Sequence, residues 1–147
     1  MIIALANDHA GYILRGLVLE EITRGGHQVL DCGHDGTDSV DYPDYAARAA
    51  RAVAEGKADR AILICGTGIG ISIAANKIPG IRCALCYDAV SAEMARHHND
   101  ANVLALRGRN ADTEGTREIV RTFLREPFEG GRHQRRLDLI ARLDSKA

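Results

Sequence analysis

"ILICGTGIG", residues 62–70, runs from apolar residues into a cysteine and then into three glycines within five positions. An apolar run that stops at glycines reads as a strand buried on both faces that opens into a loop. The run extends back to "RAILIC" (60–65), and four others share its character: "IIALA" (2–6), "HQVLD" (27–31), "IRCALC" (81–86) and "NVLAL" (102–106). Helical patterns lie between them. "YILRGLVLEEITRGG" puts Leu14, Leu17, Val18 and Ile22 on one face and stops at Gly25 and Gly26. "DYPDYAARAARAVAEGKA" has Pro43 at its start and Gly56 at its end, and "GIGISIAANKIPG" runs from glycine to Pro79. "DAVSAEMARHHND" opens on Asp88 as N-cap, "DTEGTREIVRTFLRE" follows the fifth strand, and "RHQRRLDLIARLDSK" follows Gly130 and Gly131. Strands alternating with helices predict an α/β fold, a five-stranded parallel sheet with helices on both faces.

The composition narrows the function classes. At 147 residues the chain fits one domain, 1–147, with no linker, repeat or low-complexity tract. A net charge of −1, 4% aromatic residues and no Trp argue against nucleic acid as a partner. No apolar run approaches the ~18 residues of a membrane span, and "MIIALANDHAG" lacks the basic start of a signal peptide, so a cytoplasmic protein without a membrane partner is expected. Such a protein keeps Cys32, Cys65, Cys83 and Cys86 reduced. "CALC" (83–86) has the CxxC spacing, but on a strand residues three apart face opposite sides, so core packing is the better reading. No second Cys/His pair completes a zinc site, and no metal or cofactor is expected.

In open parallel sheets ligands bind at the carboxyl ends of the strands. Asp8 and His9 follow the first strand, Cys65 ends the third, Tyr87 and Asp88 follow the fourth, and Arg107 and Arg109 follow the fifth. "CGTGIG" resembles a dinucleotide loop, and Asp88 lies near the distance of a ribose-binding acid. The glycines, however, are Gly66, Gly68 and Gly70, position 71 is Ile, the loop follows the third strand, and no GK[ST] follows. Glycines in this setting let backbone amides converge on an oxyanion, with the start of the next helix behind them. Such a place also suits a reactive thiolate. Taken alone, Cys65 is better read as a buried residue completing its strand.

"NDHAG", "DYPDYA", "ICGTGIGISIAANKIPGIR", "RHHNDANVLAL" and "EGGRHQRR", in order and end to end, resemble the type B ribose-5-phosphate isomerases. That family also holds allose-6-phosphate and galactose-6-phosphate isomerases. The resemblance implies a Rossmann-like three-layer fold, no cofactor, and a homodimer or homotetramer with shared active sites. It implies interconversion of ribose 5-phosphate and ribulose 5-phosphate through a cis-enediolate. Allose 6-phosphate, galactose 6-phosphate and erythrulose 4-phosphate are the alternative substrates.

By the same resemblance Cys65 is the base that moves the proton between C2 and C1. A branch of the family lacks this cysteine and has Glu where Ile69 stands here, so the chain falls in the thiol branch. Thr67 and the amides of Gly66, Gly68, Ile69 and Gly70 would hold the enediolate. His98 would open the sugar ring, with Asp8 assisting or binding hydroxyls, and Asn99 would bind hydroxyls. His9, Arg109, Arg132 and Arg136 would take the phosphate, the last two on one helix face. Tyr42 lines the family's pocket, although core packing is an equal reading for it. His97, His133 and Arg135 are expected to face solvent. Helix 131–145 would pack on the partner subunit, bringing its arginines to the neighbour's Cys65. Arg107 departs from the small residue more usual at its position. Two rivals stand beside this reading: a non-catalytic phosphate-binding module, and a thiol redox protein built on "CALC".

Overall fold

The computed structural model describes residues 1–144. Five strands and six helices follow one another as β1 (Ile2–Asn7), α1 (Tyr12–Arg24), β2 (Gln28–Asp31), α2 (Tyr42–Ala54), β3 (Arg60–Cys65), α3 (Ile69–Ala75), β4 (Cys83–Leu85), α4 (Ala89–Asn99), β5 (Val103–Arg107), α5 (Thr113–Arg125) and α6 (Arg132–Asp144). The strands form one parallel sheet in the order β2-β1-β3-β5-β4. The expected α/β fold is therefore present. The chain turns back at β1/β3, so a crevice opens beyond the carboxyl ends of those two strands.

The two faces of the sheet are packed differently. On one, Ile3, Leu5, Ile62, Ile64, Leu104 and Leu106 meet Leu14, Val18 and Ile22 of α1 and Ile119 and Phe123 of α5. On the other, Ala4, Ala6, Ala61, Leu63, Cys65 and Ala105 meet Ala46, Ala49 and Ala50 of α2 and Ile71 and Ala75 of α3. Small residues on both sides of this second layer let α2 and α3 lie close to the sheet. The glycine loop opens on that face.

Local chemistry sets the element ends. Asp88 caps α4 by accepting from the Ser91 amide at 2.7 Å, in a capping box completed by the Ser91 hydroxyl. Asp112 caps α5 in the same way, accepting from the Gly115 amide. Two elements are shorter than the sequence suggests. The run 81–86 keeps only three residues as strand, because β4 is an edge with one strand neighbour. Its free edge at Cys83 is bonded by the Asn76 side chain, which donates to the carbonyl at 2.9 Å and accepts from the amide at 2.8 Å. Arg82, which the run would include, turns its amide to the Asn102 side chain instead. Asn76 also ends α3 early, at Ala75. The last expected helix position, 145, lies outside the described residues.

Candidate active site

An open cleft of about 370 Å³ lies at the carboxyl ends of β1 and β3. It is lined by Asp8, His9, Tyr42, Cys65, Gly66, Thr67, Ile69, Gly70 and Arg109, all but Ala10 of its walls having been expected from the sequence. Cys65 is 4% exposed and ends β3 with its sulfur under the glycine loop. The Gly68 amide donates to Cys65 Sγ at 3.2 Å, and a hydrogen bond of this kind strengthens when the acceptor carries charge.

Gly68 supports that contact through its backbone. Its φ is +78°, a left-handed conformation, and an added Cβ would fall 2.5 Å from Leu85 Cδ1 and 3.0 Å from the Leu106 carbonyl. Only glycine brings the loop this close to β5. Other amides in the loop are already used. Ile69 N–H donates to Thr67 Oγ1 at 3.1 Å, so this amide, like that of Gly68, is engaged within the loop. The Thr67 hydroxyl, accepting from Ile69, keeps its own proton to donate.

The remaining walls are held from behind. Asp8 is 4% exposed, and its Oδ1 accepts from the Gly11 amide at 2.8 Å. His9 Nδ1 accepts from Val40 N–H at 3.2 Å, which puts the proton of the neutral ring on Nε2. The Arg109 guanidinium lies over Gly66, where a Cβ would sit 3.0 Å from Nη1, and its amide donates to the Gly66 carbonyl at 3.1 Å. The Tyr42 ring lies over Gly70 in the same manner and is exposed, so its place is the cleft wall and not the core. Asn7 is fully buried beside these groups. Its amide donates to the Asp8 and His34 carbonyls, and its Oδ1 accepts from Arg15. Arg107 turns away, its guanidinium 5.8 Å from the centre of the Tyr87 ring.

His98, Asn99, Arg132 and Arg136 do not line this cleft. They lie on α4 and α6, which pack together. Arg132, Arg136 and Asn99 are exposed, while His98 is half-buried. Two expectations about this region are corrected. His133, expected in solvent, is 5% exposed and stacked on His98, with ring centres 4.3 Å apart and planes 17° from parallel. His97, also expected in solvent, is tucked among carboxylates, with Nε2 2.9 Å from Glu126 Oε2 and Nδ1 3.2 Å from Glu129 Oε1. In each case α6 or the segment before it covers a helix face that would otherwise be open. The histidines are plain in the sequence as "HH" on α4 and the second residue of "RHQRR", but only the packing of α6 on α4 brings His98 and His133 together.

Ligand atoms of His98, Glu129 and His133, and of Glu93, His97 and Glu126, lie within 4.8 Å of one another. The lone pairs of two stacked imidazoles run side by side, so the first group does not converge on one ion. "CALC" is divided by the sheet. Cys86 belongs to the α1/α5 core and Cys83 packs against the α2/α3 core. All four cysteines are free thiols.

A doubly wound sheet with a thiol, a carboxylate and cations gathered at its carboxyl edge defines a class of α/β enzymes that act on small anionic substrates. Residues 3–140 match the ribose/galactose isomerase family, and the chain belongs to it. It is 44% identical over 144 residues to ribose-5-phosphate isomerase B of Escherichia coli (strain K12), covering 98% of this chain and 97% of that protein. The structure of ribose-5-phosphate isomerase B from Clostridium thermocellum superposes with a TM-score of 0.97 at 46% identity, over 99% of each chain. That of the Mycoplasma genitalium enzyme with bound ribulose-5-phosphate gives 0.94 at 40% identity, over 99% of this chain and 97% of that one.

Proposed function

We propose that the protein interconverts ribose 5-phosphate and ribulose 5-phosphate through a cis-enediolate, with Cys65 as the base. The observation that carries this reading is the Cys65 sulfur beneath the Gly68 amide, in a cleft that also presents His9 and Arg109. The ribulose-5-phosphate held by the Mycoplasma genitalium relative supports the choice of substrate.

The chemistry follows from the groups. The Cys65 thiolate takes the proton from C2 and returns it to C1. Negative charge on the enediolate oxygens meets the amides of Gly66, Thr67 and Gly70 and the Thr67 hydroxyl. Asp8 orders the sugar hydroxyls. Arg109 and the Nε2–H of His9 meet the phosphate.

One chain leaves this site incomplete, because ring opening and the rest of the phosphate grip are assigned to residues outside the cleft. A homodimer in which His98, Asn99, Arg132 and Arg136 of the partner subunit close over the cleft completes it. Exposed apolar residues occur on both surfaces such a contact would use, Ile69 and Ile73 on α3 and Leu139, Ile140 and Leu143 on α6.

A coupled assay on four-, five- and six-carbon sugar phosphates tests the substrate, with ribose 5-phosphate expected to give the highest kcat/KM. Six-carbon preference would replace it with the other branch of the family. Subunit mixing tests the shared site. Cys65→Ser and Arg136→Ala variants, each inactive alone, should on co-refolding regain about a quarter of native activity, since half the dimers are hybrids and each hybrid has one intact site. No recovery would place both residues in a site within one chain.

A further inference from the structure

The mechanism above leaves unused a run of groups between α4 and α6. Glu129 spans it. Its Oε1 lies 3.2 Å from His97 Nδ1, its Oε2 lies 3.7 Å from His133 Nε2, and its amide donates to the His97 carbonyl at 3.1 Å. His133 is the buried member of an otherwise exposed turn, with Arg132, Gln134, Arg135 and Arg136 all open to solvent. A histidine buried on so polar a turn has given up hydration, and what it gains is a ring-on-ring contact with His98. We propose that His133 is a positioning residue for His98, its ring fixing the plane of the His98 imidazole and hence the nitrogen that meets the sugar ring oxygen. This rests on the reading of His98 as the ring-opening group.

Three features support the assignment. The stack is close to parallel, so rotation of His98 about its ring-bearing bond runs into the His133 face. Glu129, which contacts His133, is itself anchored to α4 through His97, so the platform is tied to the helix that carries His98. Burial, followed by the charges of His98 and Arg132, holds His133 below the ordinary histidine range. His133 is thus held toward its neutral form, and the stack pairs an uncharged ring with His98.

Sugar chemistry separates this role from a merely structural one. Ribose 5-phosphate is cyclic, because O4 closes on C1. In ribulose 5-phosphate the carbonyl is at C2 and O5 carries the phosphate, so O4 could close only a four-membered ring and the ketose stays open. Enediolate formation from the ketose needs Cys65 but no ring opening. Exchange of the C1 proton of ribulose 5-phosphate in D2O, followed by NMR, thus reads proton transfer at Cys65 without ring opening: a C1 proton leaves to the thiolate and a solvent deuteron returns. His133→Ala should lower kcat on ribose 5-phosphate roughly tenfold and leave C1 exchange within about twofold of native. His133→Phe, which keeps the flat face, should restore ribose 5-phosphate turnover to within about threefold.

Equal loss of turnover and exchange in His133→Ala, full retention of turnover, or a Phe variant as poor as Ala would each overturn the proposal. The control is His98→Ala. If it keeps native turnover of ribose 5-phosphate, the role of His98 itself fails. If it loses turnover and His133→Ala does not, only the positioning role fails.

Discussion

The cleft around Cys65 and the surface around His98 are built by opposite means. In the cleft the backbone does the shaping. A left-handed Gly68 aims its amide at a sulfur, while Gly66 and Gly70 make room for Arg109 and Tyr42. Around His98 the side chains do it, through a stacked imidazole and a carboxylate shared between two histidines. At Gly68 the backbone site tolerates almost no change, because an added atom meets the Leu85 side chain and the Leu106 main chain. Side-chain sites are graded, since one contact is lost at a time. The first design suits a reacting centre that must not move. The second suits a group that has to reach a substrate held elsewhere.

The largest effect that separates the two is expected at Cys65. Cys65→Ser should cut turnover of ribose 5-phosphate by about 10³-fold, the upper part of what a positioned base supplies. It should leave the thermal midpoint and the circular dichroism spectrum near native. Turnover within tenfold of native would remove the thiol from the reaction and with it the distinct role of the cleft.

Gly68→Ala comes next. It combines a left-handed residue with a Cβ 2.5 Å from Leu85 Cδ1. Together these should cost about 3 kcal/mol of stability, measured by urea denaturation. Activity should fall as well, since the amide leaves the sulfur. Arg135→Ala, an exposed side chain beside the buried His133, should shift stability by no more than about 0.5 kcal/mol. Similar costs for the two variants would erase the contrast between backbone-built and side-chain-built halves.

The sequence revealed the first half better than the second for a physical reason. Glycine spacing after a strand is a local signal, so Cys65, Thr67 and the loop were legible, as were Asp8, His9 and Arg109 at neighbouring strand ends. Asp88 as N-cap of α4 was equally local. His133 and His97 were misplaced into solvent, because their burial depends on where α6 and residues 126–129 return against α4, which no short window encodes. Asn76 is a similar case. It lies in a helical pattern, yet its amide serves as the missing strand neighbour of Cys83 and shortens both α3 and β4. Glu21 escaped notice as well, an acid buried on α1 because α5 delivers two arginines to it.

Glu21 offers a test that touches neither half. It is 3% exposed and paired with Arg121 at 2.7 Å and Arg117 at 2.6 Å. The Arg121 hydrogen bond holds its carboxyl below the usual carboxylate range, against the opposing effect of burial, and Arg117 adds to the lowering. A lowered folded-state value means the stabilisation is complete above the unfolded-state value and is lost as pH falls through the folded one. Glu21→Gln should therefore lower stability by about 2 kcal/mol at pH 7, or roughly 4–8 °C in thermal midpoint. The gap should begin to narrow below about pH 4 and close once pH has fallen through the folded-state value, where both proteins carry a neutral side chain. Turnover at 25 °C should stay native. A gap that persists unchanged in acid would mean that lost packing, and not the ion pair, sets the cost.

Little effect on turnover is expected at "CALC", where the thiol chemistry proposed for Cys65 is absent. Cys83 and Cys86 pack on opposite faces of the sheet, so a disulfide between them would have to pass through the strand. Burial pushes the Cys83 thiol up to about 12 and the Cys86 thiol up to about 11. At pH 8 both are thiols, and alkylation of the native protein by iodoacetamide should leave them unmodified through hours, as read by peptide mass spectrometry. Cys86→Ala should cost about 1 kcal/mol for the lost packing of a buried sulfur and leave turnover native. Rapid labelling of either thiol, or a disulfide under mild oxidation, would make this strand a second reactive site and end the distinction between a cysteine placed at a loop mouth and cysteines that fill a core.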